Sequence, residues 1–338
     1  MQLPLKSGAV RRLALAIHPA KSKRKLLYMA SVLNLTSYMD ETGHPDDPNL
    51  EYVGMAGFVA PFGAWEVFES AWEDLMRNAG LSEPFHMKDF AHSVGQFKPW
   101  KGKEEIRRAF FGRAMNLIVE TRATPIGAIV SLSGFRSLTE SQRSSYLSPY
   151  YIGFQNVTRG AAIEAMFEEH EEKVAMVYAY QSEYGTNNGG RAEQLWHAIR
   201  KHTDFGSRMG SYASATPAEL SPLQAADIFA YELSHEFESR VKRTNADVRW
   251  GLRQIFGMYR IPSPQIRLLD RKELLRTIKE SHFPDQTGVA ELDDNQEQSA
   301  HESMMKWFLE RGQFTAEQFS DFMEATAAIL GHTNDRPI

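Results

Sequence analysis

Asp40 stands where a predicted strand ends, a position from which a carboxylate can take part in chemistry. Leu35 and Met39 fall on one face of this strand and Tyr38 and Asp40 on the other, because strand side chains alternate with period two. The following Gly43 allows a tight turn with positive φ. We therefore expect Asp40 to face away from the core, although an ordinary acidic turn explains the same residues, since short motifs have many false positives.

Asp227 lies within a helix that begins at Ser221 and Pro222, an N-cap serine followed by proline at the first helical position. The residues that form an apolar stripe along this helix are Leu223, Ala226, Ala230 and Leu233. A carboxylate buried among such residues is costly unless it is paired or bound to a metal. Asp227 is therefore either satisfied by a partner within the chain or used in function.

Two further segments carry chemistry-bearing side chains. Residues 84–90 bring together His86, Lys88 and Asp89 between aromatic residues, in an ordered loop or a single turn. Residues 97–103 interleave three lysines with two aromatic residues, a composition that contacts phosphates and stacks on bases. The alternative for the second segment is a solvated loop that caps the next helix. The candidate nucleic-acid-binding residues are Lys88, Lys98, Trp100, Lys101 and Lys103.

The composition is that of an ordinary globular chain. Its 338 residues suffice for one large domain or a domain with an appendage. The 42% hydrophobic and 24% charged residues are typical of such proteins. With no cysteine, the chain has no disulfide, thiolate zinc site, iron–sulfur cluster or cysteine nucleophile. No stretch approaches the ~20 apolar residues of a membrane-spanning helix, so we expect a cytoplasmic protein without a membrane partner.

The first 25 residues differ in charge from the rest of the chain. They contain seven Lys and Arg and no Asp or Glu, whereas residues 26–338 contain 31 basic and 43 acidic residues, a balance of −12. The body of the protein repels polyanions, so a nucleic-acid partner would have to meet a local basic patch or a bound cation. The basic arm is expected to be disordered; a phosphate-binding tail and sequence upstream of a true start near Met29 are the alternatives.

The predicted elements follow the order of an α/β protein. A strand ending at Asp40 and a second strand over residues 52–59 form an antiparallel hairpin. Hydrophobic periodicity then predicts helices over residues 64–79, 104–121, 146–170, 192–201, 221–233 and 271–281, and strands over residues 124–132, 174–180 and 210–214. The short apolar strand 174–180 is expected inside the sheet. The residues expected to face inward from helix 104–121 are Ile106, Phe110, Met115 and Leu117.

Three blocks, residues 38–43, 85–89 and 223–231, resemble the signature blocks of the bacterial domain-of-unknown-function family 3800. The resemblance spans roughly residues 30–240 and leaves both ends uncovered. That family is regarded as RNase H-like and related to retroviral integrases and Holliday-junction resolvases. The resemblance implies a mixed β-sheet flanked by helices, in which a first-strand aspartate and a late-helix aspartate converge on a divalent metal.

Carried over by position, Asp40 matches the first-strand acid and Asp227 the acid of the late helix. His86 and Asp89 match the histidine–lysine–aspartate block. The resemblance therefore implies catalytic roles for these four residues. The alternative for His86 is a structural histidine.

The third acid departs from the family pattern. Relatives often carry an acid at the end of the strand that matches residues 174–180, whereas this chain has Gln181 there. Glu183 is the nearest acid to that strand end, and it is the expected third catalytic residue and metal ligand. Glu41 and Gln224 are neighbours of the matched residues within the motifs.

The implied ligands fit Mg²⁺ or Mn²⁺, because carboxylate and water oxygens are the ligands that hard divalent cations prefer. The expected metal ligands are Asp40, Asp227 and Glu183. Two such ions would stabilise the attacking water and the leaving oxygen of a phosphodiester. His86 could position or deprotonate that water, or protonate the leaving group, because imidazole exchanges protons near neutral pH.

We expect three parts in the chain: the basic arm over residues 1–28, an RNase H-like domain over residues 29–243, and a helical region over residues 244–338. Residues 285–298 are rich in acids and amides and are predicted to be a flexible linker. Amphipathic helices are predicted over residues 300–311 and 315–330, the second with a capping box. Their apolar faces would dock on the body or on a partner.

Two functional hypotheses of different class follow. The first is a metal-dependent nuclease that cleaves RNA or DNA. The second is a catalytically inactive RNase H-like module that binds nucleic acid or protein, which the missing acid at Gln181 suggests. A strand-transferring integrase or transposase would share the site but needs a DNA-end recognition segment, which is not evident. The motifs of P-loop, dinucleotide-binding, nucleophile-elbow and zincin enzymes do not occur.

Overall fold

The computed structural model describes residue 8 and residues 35–146, 148–167, 173–187, 189–242, 248–257 and 266–280. Within these residues, six strands form one mixed sheet. They are β1 (Leu35–Thr42), β2 (Tyr52–Pro61), β3 (Thr124–Ser131), β4 (Val174–Ala179), β5 (Met209–Ala215) and β6 (Ile266–Leu269). The order across the sheet is β5-β4-β1-β2-β3-β6. The α/β prediction and the interior position of the strand 174–180 are confirmed.

The predicted hairpin is confirmed as the antiparallel pair of β1 and β2, in which Asp40 lies opposite Ala56. β3 continues the antiparallel arrangement on the far side of β2. β4 pairs in parallel with β1, and β5 in parallel with β4. Because β1 and β4 are parallel, their carboxyl ends lie at the same edge of the sheet. Gly43 has the predicted positive φ, 76°, where the chain leaves that edge.

The described helices include the six that are predicted, close to the expected positions, and four others. They are α1 (Phe62–Asn78), α2 (Met87–His92), α3 (Glu104–Glu120), α4 (Leu132–Arg136), α5 (Glu140–Tyr146), α6 (Pro149–Phe167), α7 (Arg191–His202), α8 (Pro222–Lys242), α9 (Trp250–Gly257) and α10 (Arg271–Glu280). Short 3₁₀ helices span Gly95–Trp100 and Asp204–Arg208. The start predicted for the helix over residues 146–170 is wrong. Tyr146 ends α5, and Pro149 begins α6, because proline suits the first turn of a helix and cannot continue a preceding one.

Both faces of the sheet are covered. Tyr38 and Phe58 belong to a core shared with α1, α3 and α8, whereas Met39 and Val53 belong to a second core beneath α6. The expectation that Asp40 faces away from the core is therefore wrong: α8 packs across β1 and β2, and Asp40 is only 8% exposed. Strand alternation predicts which side chains share a face, but it does not tell whether that face is covered.

The inward face of α3 is also shifted from the prediction. Phe110 and Met115 are buried as expected, Leu117 is only partly buried, and Ile106 is 47% exposed. The buried positions centre near Ala114, and Ile106 lies roughly 80° of helix rotation from Ala114. It therefore falls at the rim of the apolar face.

The sheet continues past residue 243, where the sequence suggests a domain boundary. β6 pairs in parallel with β3, and α9 packs on α3 and α8. Neither element is predicted from the sequence, because β6 has four residues and acquires its strand character from its partner. The predicted basic arm apart from residue 8, the acidic linker 285–298 and the helices 300–311 and 315–330 lie outside the described residues. None of the described helices is long and apolar enough to cross a membrane.

Candidate functional site

Three carboxylates meet where β1 ends: Asp40 and Glu41 on the strand, and Asp227 near the start of α8. Burial is the main cause that raises the pKa of Asp40 well above its usual range, followed by the negative charges of Glu41 and Asp227. The backbone N–H of Glu41 donates to Asp40 Oδ1 at 2.9 Å, which acts in the opposite direction. Asp227 therefore lies close enough to Asp40 for its charge to raise the pKa of Asp40.

Glu41 is the third acid of this cluster. Burial raises its pKa to about 7, and the charge of Asp227 adds to the rise. Its Oε1 accepts a hydrogen bond from Gln181 Nε2, whereas its buried Oε2 has no hydrogen-bond partner. A buried carboxylate oxygen without a donor is costly. Glu41 therefore has an unused ligand atom beside two other acids.

Asp227 connects the cluster to the His86 segment. Its Oδ2 accepts the backbone N–H of Met87 at 2.7 Å and lies 3.5 Å from His86 Nδ1. Burial raises the pKa of Asp227, and the charge of Asp89 adds to the rise, whereas His86 and the Met87 N–H lower it. The Asp227 side chain is 14% exposed. The Met87 N–H and His86 thus offset part of the cost of burying the Asp227 carboxylate.

His86 is the N-cap residue of α2, and its Nδ1 accepts the backbone N–H of Lys88 at 3.3 Å. Its side chain is 59% exposed, so the ring can meet a molecule that arrives from solvent. Asp89 lies half-buried in the first turn of the same helix. His86 and Asp89 therefore both lie close enough to Asp227 to influence its pKa.

Gln224 holds this segment in place. Its Oε1 accepts the Trp72 indole N–H at 2.9 Å and the Phe85 backbone N–H at 2.8 Å, and its Nε2 donates to the Pro217 carbonyl at 2.8 Å. The side chain is 2% exposed, so these bonds form in a dry interior where they are strong. Gln224 thereby ties the residue before His86 to α8, one turn before Asp227.

Glu183 is placed elsewhere. Both of its carboxylate oxygens lie 3.0 Å from His44 Nε2, on the loop that follows β1, and its side chain is 58% exposed. The position where relatives of the resembled family often carry an acid is held by Gln181, whose amide reaches Glu41. Glu41 therefore adjoins Asp40 and Asp227, whereas the expected ligand Glu183 pairs with a histidine. The sequence signal for Glu41 is its place directly after Asp40 in the motif.

The ligand atoms of the cluster fit a hard divalent cation, because they are carboxylate oxygens and one of them, Oε2 of Glu41, has no hydrogen-bond partner. A cation would also offset the negative charges that raise the pKa of Asp40. In the part of the chain that the structure describes, no three His, Asp or Glu side chains stand in a geometry that would hold an ion among them. Asp40, Glu41 and Asp227 are thus neighbouring carboxylates rather than a closed ligand set.

The candidate nucleic-acid-binding residues divide into two kinds. Lys88, Lys98, Lys101 and Lys103 are exposed. The Trp100 ring packs instead against the aromatic cluster below it, with its centroid 5.5 Å from that of Phe97 and 5.2 Å from that of Phe110. The lysines are therefore available to a ligand, whereas Trp100 is engaged in holding the 3₁₀ helix to α3.

No protein-family model matches this chain, and no curated protein matches it either. The resemblance to family 3800 therefore depends on the three sequence blocks alone. The case for a function has to come from the chemistry of the site.

Proposed function

We propose that the chain is a metal-dependent nuclease of RNase H-like fold that hydrolyses phosphodiester bonds of RNA or DNA. The observation that carries the proposal is the proximity of the buried Asp40 to the half-buried Glu41 and Asp227, in which the negative charge of Asp227 raises the pKa of both Asp40 and Glu41. Within the described residues, neither Asp40 nor Glu41 forms an ion pair with a basic side chain. A mixed sheet with a first-strand and a late-helix aspartate at one edge is the arrangement that the resemblance to family 3800 implies.

Asp40, Glu41 and Asp227 would hold Mg²⁺ or Mn²⁺ through their oxygens, with the half-buried Asp89 as a further acid beside them. When bound, such a cation lowers the pKa of water and offsets negative charge on a phosphodiester. The need for it is electrostatic. Residues 26–338 carry a balance of −12, so the acid cluster by itself repels a phosphate.

The other side chains have roles that follow from their places. The exposed imidazole of His86, 3.5 Å from Asp227, can take a proton from an attacking water or give one to the leaving oxygen. Gln181 orients Glu41 through its amide. The exposed lysines at positions 88, 98, 101 and 103 supply positive charge for the phosphate backbone.

A second candidate function is a non-catalytic binding module with the same fold. Gln181 stands where an acid is common among relatives of the resembled family, and the described acids do not form a ready ligand set. The two candidates differ in one observable, the cleavage of a strand in the presence of Mn²⁺.

The test compares Asp40→Asn and Asp227→Asn with Asp74→Asn, a matched change at an exposed aspartate that pairs with Arg77 on α1. Labelled single- and double-stranded RNA and DNA are incubated with Mg²⁺ or Mn²⁺. We expect each site variant to lose more than ~100-fold in cleavage rate, because removing a cation ligand removes several kcal/mol of transition-state stabilisation. Asp74→Asn should cleave as the wild type does, and circular dichroism should show all three variants folded.

Unchanged cleavage in both site variants would refute the proposal. Binding of nucleic acid by the wild type, with no cleavage of any strand type in Mn²⁺, would favour the binding module.

A further inference from the structure

A pocket of about 540 Å³ opens between α3, α8 and the start of α9. It is lined by Arg108, Phe111, Glu232, Arg249, Trp250 and Gly251. This volume is within the range of pockets that bind small organic ligands, ~300–1,000 Å³. The lining combines aromatic rings, guanidinium groups and one carboxylate, and none of these residues belongs to the acid cluster at the end of β1.

One wall of the pocket is aromatic. Trp250 is 43% exposed, and its ring centroid lies 5.8 Å from that of Phe111 on α3. Phe111 packs in turn on Phe90, with centroids 5.4 Å apart and rings nearly parallel. A supported indole that keeps much of its surface in solvent is a platform on which a planar ring can stack.

The floor of the pocket is a buried ion pair. Arg249 Nη2 donates to Glu232 Oε1 at 2.7 Å and Nε donates to Oε2 at 3.1 Å. Glu232 is 3% exposed, and a Cβ added at Gly251 would lie 2.7 Å from its Oε2, so a larger residue at position 251 would displace the Glu232 carboxylate. The Arg249 backbone N–H donates to Glu236 at 2.8 Å. These bonds fix the guanidinium, which keeps a third of its side chain exposed.

Arg108 supplies a second guanidinium at the mouth of the pocket. It is exposed on α3, and within the described residues it forms no ion pair. Its charge is therefore available to an anion, unlike the charge of Arg249, which Glu232 neutralises. The lining thus offers a stacking surface, a fixed polar edge with both donors and an acceptor, and one available cation.

We infer that this pocket binds a nucleotide. The base stacks on Trp250 and meets the Arg249–Glu232 edge, and the phosphate binds Arg108. A base is planar and carries both donors and acceptors on its edge, and a phosphate accepts two hydrogen bonds from one guanidinium. The nucleotide can be a free mononucleotide or one unit of a single strand, because the chemistry is the same.

The position of the pocket is compatible with a strand that also reaches the acids. Asp227 and Glu232 are five residues apart on α8, about 7.5 Å along the helix axis and about 140° around it, so a strand that reaches both has to pass around α8. Tyr231 lies between them, and its ring centroid is 5.9 Å from Arg249 Cζ. The strand arm of the test rests on the proposed function, whereas the mononucleotide arm does not.

The first measurement is isothermal titration calorimetry in EDTA with AMP, adenosine and inorganic phosphate. We expect AMP to bind about tenfold more tightly than adenosine, and phosphate alone not to bind. Trp250→Leu should weaken the binding of AMP and of adenosine by about tenfold or more, since stacking contributes ~1–3 kcal/mol per base. Trp250→Phe should retain most of the affinity for both ligands. Arg108→Gln should reduce the affinity for AMP to that for adenosine. The matched control Arg113→Gln on the same helix should leave both affinities unchanged.

The second measurement is fluorescence anisotropy of a labelled single-stranded twelve-nucleotide oligomer, also in EDTA. A loss of oligomer affinity in Trp250→Leu without AMP binding to the wild type would assign the pocket to a strand nucleotide. Binding of AMP without an effect on the oligomer would assign it to a free nucleotide. If the wild type, Trp250→Leu and Arg108→Gln bind every probe equally, or bind none, the inference is overturned.

These measurements separate the pocket from the proposed function, because they need neither a cation nor cleavage. Asp40→Asn should bind AMP as the wild type does. Binding of AMP without cleavage of any strand would support the nucleotide pocket and refute the nuclease proposal. Cleavage by the wild type, with Trp250 and Arg108 variants that bind AMP and the oligomer as the wild type does, would support the nuclease proposal and refute the nucleotide pocket.

Discussion

Helix α8 carries two acids five residues apart that stand in opposite environments. Glu232 is 3% exposed, and both of its oxygens are bonded to the guanidinium of Arg249. Asp227 is 14% exposed and accepts one backbone N–H, with His86 at 3.5 Å and two further acids at the end of β1 beside it. Glu232 forms an ion pair with an arginine of its own chain, whereas Asp227 lies among other carboxylates.

The difference separates an acid whose burial the chain compensates with a cation from acids whose burial the described residues do not compensate. Burying a charge costs several kcal/mol unless a partner offsets it. At Glu232 the chain supplies that partner and packs a glycine against it. At Asp40 and Glu41 burial raises the pKa of both groups, and no basic partner is present within the described residues. A cation from outside would remove that cost.

The largest effect is expected where the paired acid loses its partner. Arg249→Ala leaves Glu232 buried and uncompensated, which should lower the free energy of unfolding by about 3 kcal/mol, the low end for a buried pair because Arg249 is a third exposed. Urea unfolding followed by circular dichroism measures it. The matched control is Arg77→Ala, which breaks an exposed pair with Asp74 and should cost less than ~1 kcal/mol. Equal losses in the two variants would contradict a structural role for the Arg249–Glu232 pair.

The next effect is a pH dependence of the acid cluster. The folded pKa of Glu41 is raised from 4.5 to about 7, so its protonated form favours folding, and this stability is lost as pH rises through that window. The free energy of unfolding of the wild type should therefore fall between pH 5 and pH 8 by roughly 2–3 kcal/mol relative to Glu41→Gln, which cannot ionise. Asp40 and Asp227, whose pKa values are also raised, act in the same direction.

Addition of Mg²⁺ or Mn²⁺ sharpens the same measurement. At pH 8 the cation should raise the unfolding free energy of the wild type and leave that of Asp40→Asn/Asp227→Asn unchanged, because binding to the folded state alone is stabilising. A wild-type profile that is parallel to that of Glu41→Gln, with or without cation, would contradict the raised pKa of Glu41 in the folded protein.

The smallest effect is expected at Glu183. Its pair with His44 is largely exposed, so Glu183→Gln should change the free energy of unfolding by less than ~1 kcal/mol. Cleavage should fall far less than in Glu41→Gln, because Glu41 and not Glu183 adjoins Asp40. Comparison of the two cleavage rates checks this assignment. A loss in Glu183→Gln as large as that in Asp227→Asn would make Glu183 the third ligand after all.

Much of the secondary structure could be predicted from local sequence. The alternation before Asp40 and the Ser221–Pro222 helix start are signals that act within a few residues, and both elements are present. The prediction was wrong at Ile106 and at the start of α6, where the rim of an apolar face and a proline decide the outcome. The strand β6 could not be predicted, since four residues carry little periodicity and the partner strand β3 is far away in sequence.

The sequence by itself determined that Asp40 lies near the end of a strand, which continues two residues further to Thr42, and that Asp227 stands in an apolar helix, because both depend on spacing along the chain. Only the tertiary structure decided that the two meet, that Gln181 reaches Glu41, and that Glu183 pairs with His44. It also decided that Arg249 returns to Glu232 and forms the floor of a pocket. The physical reason is that side-chain periodicity specifies a face, whereas the packing of α8 on β1 and of α9 on α3 specifies what that face touches.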